Sequence, residues 1–233
     1  MAKLKVLCAR SMNVAVDALA TRFARESGHT PDIAFGTVGA LASKLAAGET
    51  ADVLILGAPA IAKMAGEGTL VPGSDRPVAQ TSIGMCVRDG AAAPDISTPD
   101  AFRRTLEDAR MIALSDPAVG GSAGTYLVGL WERMGLTDAI DRKATLQKSG
   151  AEVARRVAEG SADLGLTLIG EIVTVPGARV VGKLPPPLGL DTVYAAGVPV
   201  ASSEPTAAKA FIAALTGPGT REVWTTAGFE PAQ

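Results

Sequence analysis

The sequence predicts an α/β fold in which parallel-type sheets are flanked by helices. Short apolar runs alternate with amphipathic helical stretches from the first residues on. The runs are apolar on consecutive residues, as befits strands covered on both faces. Small and hydroxyl residues recur where a run ends and a helix begins.

Val6 to Ala9 is the first strand. Met12, Val16, Leu19 and Phe23 follow at steps of four, three and four, on one helical face. Asp32 to Phe35 reads as a second strand, and Leu41 to Ala47 as a helix ended by Gly48. Asp52 to Leu56 is a third strand, followed by a helix from Pro59 to about Ala65. The pattern changes near Pro77. Thr81 to Val87 is a strand, Ala91 to Asp100 a loop, and Pro99 suits the first turn of a helix running to about Leu106. A strand over Met111–Leu114, helices over Ala123–Met134 and Ala151–Glu159, and a strand over Asp163–Thr167 come next. Pro185-Pro186-Pro187 marks a second boundary before the strand Thr192–Val198. Helices over Glu204–Leu215 and Gly219–Ala227 complete the chain.

Composition excludes several function classes. The net charge is −2 and aromatics are 4%, so neither the basic stripe nor the stacking platform of a nucleic-acid binder is present. No stretch is long and apolar enough to span a bilayer. Cys8 and Cys86 match no metal or redox spacing, and both sit in apolar runs, which favours two buried free thiols over a disulfide between them. His29, the one histidine, lies between Gly28 and Thr30 and reads as a solvated loop residue, which leaves no His-based metal site or triad. No metal and no cofactor are expected. Met1-Ala2-Lys3 leads straight into the first strand with no apolar leader, so the chain as written reads as cytoplasmic, or as periplasmic if a signal was removed.

Candidate chemistry lies at four strand-to-helix junctions: Ala9-Arg10-Ser11, Gly36-Thr37-Val38-Gly39, Gly120-Gly121-Ser122-Ala123-Gly124-Thr125 and Lys148-Ser149-Gly150. Carboxyl ends of strands in open α/β sheets face a crevice. Helix N-termini present unpaired N–H groups there and hold an anion without a basic side chain. Ser and Thr at such positions are also ordinary N-caps. The glycine-rich loop before Ser122 exceeds what capping needs, and no Gly-Lys-Ser/Thr follows to make it a Walker loop. Arg10 either grips a ligand carboxylate with two parallel hydrogen bonds or pairs with an acid at the crevice edge. The predicted ligand contacts are Arg10, Ser11, Thr37, Gly39, Ser122, Ala123, Gly124, Thr125, Ser149 and Gly150.

These segments fall in register with a known family. Val6-Leu-Cys-Ala-Arg-Ser-Met, Ile33-Ala-Phe-Gly-Thr-Val-Gly-Ala-Leu, Asp52-Val-Leu-Ile, Ser115-Asp-Pro, Ala123-Gly-Thr-Tyr, Leu164-Gly-Leu and Ala227-Gly-Phe together resemble the molybdate-binding proteins of ABC transporters. The resemblance covers nearly the whole chain. It implies the two-lobed type 2 periplasmic-binding-protein fold with a ligand cleft between the lobes. Lobe 1 would hold residues 1–80 and 190–233, lobe 2 residues 81–189, with hinges near 78–83 and 187–193. A small anionic ligand, an ABC transporter permease as partner if the protein is exported, and a monomeric state are further implications.

The family's oxyanion site carries over with losses. Its first-loop serine matches Ser11 and its second-loop serine falls at Gly39, close to Thr37. Its backbone donors match Ala123 and Gly150, and its closing tyrosine falls near Leu168, which has no hydroxyl. Arg10 stands where a small residue is usual. A cation gained and hydroxyls lost favour a carboxylate over molybdate. Ser115-Asp-Pro-Ala-Val-Gly-Gly-Ser-Ala-Gly and Thr81-Ser-Ile-Gly-Met-Cys-Val-Arg resemble the divergent branch that contains aconitate isomerase. Pure anion binding is therefore the first expectation. A cofactor-free isomerase of an unsaturated polycarboxylate is the alternative, with Glu171 or Asp116 as base. Each acid also has a structural reading: Asp116 before Pro117 as a turn cap, and Glu171 as partner of a hinge arginine.

Overall fold

A computed structural model describes residues 1–232. The chain divides into two compact units, the first made of Met1–Gln80 and the chain from Thr192 on, the second of Thr81–Asp191.

In the first unit β1 (Lys3–Ala9) lies between β2 (Thr30–Gly36) and β3 (Val53–Gly57), parallel to both. β9 (Asp191–Gly197) runs antiparallel to β3 and separates it from β4 (Arg76–Arg88), whose first half pairs with the short β10 (Glu230–Pro231). Strand alternation sends neighbouring residues to opposite faces. Val6 and Cys8 of β1, with Val53 and Ile55 of β3, join a core under α1 (Asn13–Ser27), α9 (Pro205–Thr216) and α10 (Arg221–Thr226). Leu7, Leu54 and Leu56 join another with Leu41 of α2 (Val38–Ala46) and Ile61 of α3 (Ala58–Gly66). The face of α1 is the one its spacing predicts: Val16, Leu19 and Phe23 are buried.

Asp52, beside β3, accepts hydrogen bonds from the Lys5 N–H (2.9 Å), the Ser202 hydroxyl (2.8 Å) and the Ser203 N–H (3.0 Å), clipping the loop before α9 to the start of the sheet. Burial pushes the Asp52 carboxyl up. These donors outweigh it and hold the group below the usual carboxylate range.

The second unit places β5 (Ile112–Ser115) between β6 (Ala144–Gln147) and β7 (Leu164–Leu168), parallel to both. The second half of β4 is antiparallel to β7 and to β8 (Ala178–Lys183). Ile83, Met85, Leu114 and Leu166 pack with Phe102 of α4 (Pro99–Asp108) and with Leu127 and Trp131 of α5 (Ser122–Met134). On the other face Cys86 and Ala113 pack with Val153 and Val157 of α7 (Gly150–Ala158). Gly165 lets α7 press on β7, since a Cβ there would lie 2.8 Å from Val153 Cγ1. Short helices α6 (Thr137–Asp141) and α8 (Ile169–Ile172) complete the unit.

The sheets are parallel-type with antiparallel members, since β9, β4 and β8 run against their neighbours. Two expectations need correction. α2 starts at Val38, not Leu41, because Thr37 caps it and extends it by most of a turn. His29 is not a solvated loop residue: it is half-buried, its Nδ1 accepts the Ala2 N–H at 3.0 Å, and its ring stacks on Phe23. Both cysteines are free and buried. Burial raises the Cys8 thiol well above its usual range and pushes Cys86 up to about 12, which suits packing rather than chemistry. Among the described residues no helix is long and apolar enough to cross a membrane, and no His, Cys, Asp and Glu cluster could hold a metal ion.

Candidate functional site

Each unit carries part of the predicted contact set at the carboxyl ends of its parallel strands. In the first unit β1 runs into a tight 3₁₀ turn, Arg10–Met12, that merges with α1. Arg10 is exposed, and no ion pair engages it among the described residues. Ser11 is buried and donates its hydroxyl to the Tyr194 Oη at 2.8 Å. At the end of β2, Thr37 caps α2 by accepting the Ala40 N–H at 3.2 Å. That leaves the hydroxyl proton to donate. Gly39 is exposed in the first turn of the same helix.

The second unit arranges its edge differently. Asp116 caps a 3₁₀ turn, Pro117–Val119, accepting the Ala118 N–H at 2.8 Å. This is the turn-cap role of the two its sequence left open. α5 then begins at Ser122 without a side-chain cap. Ser122 is half-buried and Ala123 buried. Gly124 has a packing reason: a Cβ there would lie 2.6 Å from the Ser115 carbonyl oxygen, so the glycine lets α5 sit close on β5. Thr125 turns back on the loop, its N–H and its hydroxyl both reaching the Gly121 carbonyl oxygen.

The start of α7 is the most heavily furnished. Ser149 caps the helix by accepting the Glu152 N–H (3.3 Å), and Glu152 reaches back one residue past the cap to accept the Lys148 N–H (3.0 Å). Glu171, third residue of α8, adds its carboxylate: Oε1 accepts the Gly150 N–H at 3.1 Å and Oε2 the Thr167 hydroxyl at 3.3 Å. Thr167 in turn lies 3.2 Å from the Ser115 hydroxyl. A strip of polar groups therefore runs from β5 through β7 to the head of α7. A negative group there is favoured by the helix dipole. Gly150 is buried under this acid, and a Cβ on it would lie 2.2 Å from both Glu171 Oε2 and Thr167 Oγ1.

The structure thus brings Ser149, Gly150 and Glu171 together. It gives Asp116 and Thr125 local turn bonds. Tyr194, Thr167 and Ser115 are additions that sequence reasoning missed. A tyrosine or threonine inside an apolar strand was the available signal, since a buried hydroxyl needs a partner.

Residues 4–230 match a family described as bacterial extracellular solute-binding protein. A curated relative from Pseudomonas sp, named aconitate isomerase, is 35% identical over 199 residues, 84% of this chain and 73% of that protein. Among solved structures, the periplasmic molybdate-binding protein of Azotobacter vinelandii superposes with a TM-score of 0.78 at 23% identity, covering 99% of this chain and 100% of that one. The sulfate-binding protein SubI of Mycobacterium tuberculosis H37Rv superposes at 0.76 with 16% identity, covering 100% and 88%. Likenesses at such identities speak to fold alone.

Proposed function

The chain belongs to the family of bacterial extracellular solute-binding proteins, and from that premise we propose that it binds a small carboxylate anion at the carboxyl ends of its parallel strands. The observation that carries the reading is Arg10: an exposed guanidinium without an ion pair among the described residues, set directly after a buried strand. A guanidinium matches a carboxylate in a planar two-bond geometry, and such charge-assisted bonds contribute about 1.5–3 kcal/mol each. Thr37 adds a hydroxyl, and the uncapped start of α5 adds the Ser122 and Ala123 N–H groups. The remaining predicted contacts lie on the same edges. The family's extracellular description supports a periplasmic setting and docking of the ligand-bound protein on an ABC transporter permease.

A thermal-shift panel of citrate, cis- and trans-aconitate, sulfate and molybdate tests this reading. At a hundredfold excess over the dissociation constant, a ligand stabilises by about 2.7 kcal/mol, a rise in Tm of roughly 5–11 °C for a chain of this size. We expect a carboxylate to give it. A response to molybdate alone would overturn the carboxylate reading.

A second reading is supported by Glu171 and by the 35% identical relative. Isomerising an unsaturated polycarboxylate needs a base that takes a proton from carbon and returns it, while donors steady the charge on the neighbouring carboxylate. A carboxylate held on a backbone N–H is of the right chemical type. Following the absorbance of trans-aconitate with the protein present decides it: a steady change supports turnover, and a flat trace leaves binding alone.

A further inference from the structure

We infer that the first unit carries a further binding site, in a hollow beside α10, for a small organic acid that bears one carboxylate on an aromatic or branched apolar body. The site uses none of the strand-end contacts proposed above and stands or falls independently of them.

The hollow follows from how the chain closes the first unit. β10 is only two residues long and pairs with the start of β4, Glu230 opposite Gln80 and Pro231 opposite Ala79. The turn from α10 into β10 passes through Gly228 at a φ of 78°, a conformation that favours glycine. The Phe229 N–H then donates to the Trp224 carbonyl oxygen at 2.9 Å. Phe229 is thereby held down as a buried floor, its ring edge-on to that of Trp224 with centroids 5.7 Å apart. Above it lies a cavity of about 670 Å³, a size that suits a small ligand. Pro77, Val193, Phe229 and Pro231 supply its apolar walls.

The polar part of the lining is unevenly committed. Gln80 and Glu230 are joined to each other, the amide Nε2 donating to Oε2 at 2.9 Å. Thr225 follows Arg221 by four residues on one face of α10, and its hydroxyl donates to the Arg221 carbonyl oxygen at 2.9 Å. The Arg221 guanidinium is different. It is exposed, it lines the cavity, and among the described residues it has neither an ion pair nor a side-chain hydrogen bond. Its planar fork matches a carboxylate through two parallel bonds. One guanidinium also neutralises one charge. Sulfate or a phosphate would hold a second charge against apolar walls, which is costly. A monocarboxylate brings no such excess, and its body would cover Phe229 and the prolines, removing apolar surface from water.

The test is isothermal titration of the full chain with phenylacetate, acetate, sulfate and 2-phenylethylamine. Phenylacetate should bind with a dissociation constant at or below about 5 mM, the level expected for a ligand of its size. Acetate has the charge without the ring, and sulfate has no apolar body, so each should bind at least tenfold more weakly. The amine has the ring with the opposite charge and should not bind. Arg221→Ala should weaken phenylacetate binding at least tenfold and leave the Tm unchanged, because the side chain it removes holds no partner among the described residues. Arg10→Ala should leave phenylacetate binding as it was. The inference is overturned if phenylacetate shows no saturable binding, if acetate or the amine binds as tightly, or if Arg221→Ala keeps the wild-type affinity. Loss of phenylacetate binding in Arg10→Ala would put the probe at the strand ends, which overturns this site and leaves the carboxylate reading standing.

Discussion

The two units place opposite charges at the ends of their strands. The first sets an exposed cation, Arg10, directly after the end of β1. The second sets a half-buried acid, Glu171, beyond the end of β7 and ties both its oxygens down. Charge held in the open keeps its hydration. Charge fixed on a helix terminus exchanges part of it for hydrogen bonds and cannot step aside without losing them. Within the second unit the helix starts differ too: α5 leaves its first N–H groups without a side-chain cap, while α7 has a serine cap and the carboxylates of Glu152 and Glu171 beside it.

The contrast can be broken most directly at its cationic end. Arg10→Ala should weaken carboxylate binding roughly 10- to 150-fold, the worth of one charge-assisted contact, and leave the unfolding midpoint unchanged. Calorimetry and a melt read the two halves of that statement, and unaltered affinity removes Arg10 from the site. At the acidic end, Gly150→Ala drives a methyl group into Glu171 and Thr167 and should cost about 1–3 kcal/mol of stability in a urea titration. Gly36→Ala in the first unit brings its Cβ to 2.9 Å from the buried Leu41 Cδ2, a less severe approach, so its cost should be smaller.

Acid sharpens the comparison further. Asp52 in the first unit has its carboxyl pushed up by burial but lowered more by its donors. Asp163 in the second behaves likewise, with Arg110 and the Arg110 and Met111 N–H groups as donors, but is more exposed. A depressed native pKa means that the unfolded chain takes up protons first. The stability is present above the unfolded carboxylate range near pH 4 and is lost as pH falls through the native value. Asp52→Asn should cost about 1–2 kcal/mol near neutral pH and flatten the loss on acidification, with Asp163→Asn the weaker of the two. Urea midpoints measured against pH check both. The smallest effects belong to the caps. Thr37→Ala and Ser149→Ala should each cost about 1 kcal/mol.

The sheets were legible because burial on both faces writes itself as unbroken apolar runs: Val6 to Ala9 and Val53 to Leu56 could hardly be read otherwise. β6 and β8 escaped because they lack that signature. Ala144–Gln147 is half-exposed, and every residue of Ala178–Val181 is only partly buried. At the site, sequence located the junctions, since Ser, Thr and Gly before a helix have few local reasons to be there. It could not supply the bonds that span the chain. Ser11 meets Tyr194 across 183 positions, and Gly150 meets Glu171 across 21. Such partners are chosen by topology, and nothing in the local pattern around Gly150 says that an acid will cover it.

The first unit is discontinuous: β9, which separates β3 from β4, comes from the last part of the chain, whereas the second unit is one uninterrupted stretch. A ribosome releases residues in order at roughly 5–20 per second. The second unit can therefore finish on the nascent chain while the first, although begun earlier, waits for seconds with one flank of β3 unpaired. Such an edge is where strangers attach. The terminus made first is thus the part most in need of a chaperone's cover during biosynthesis.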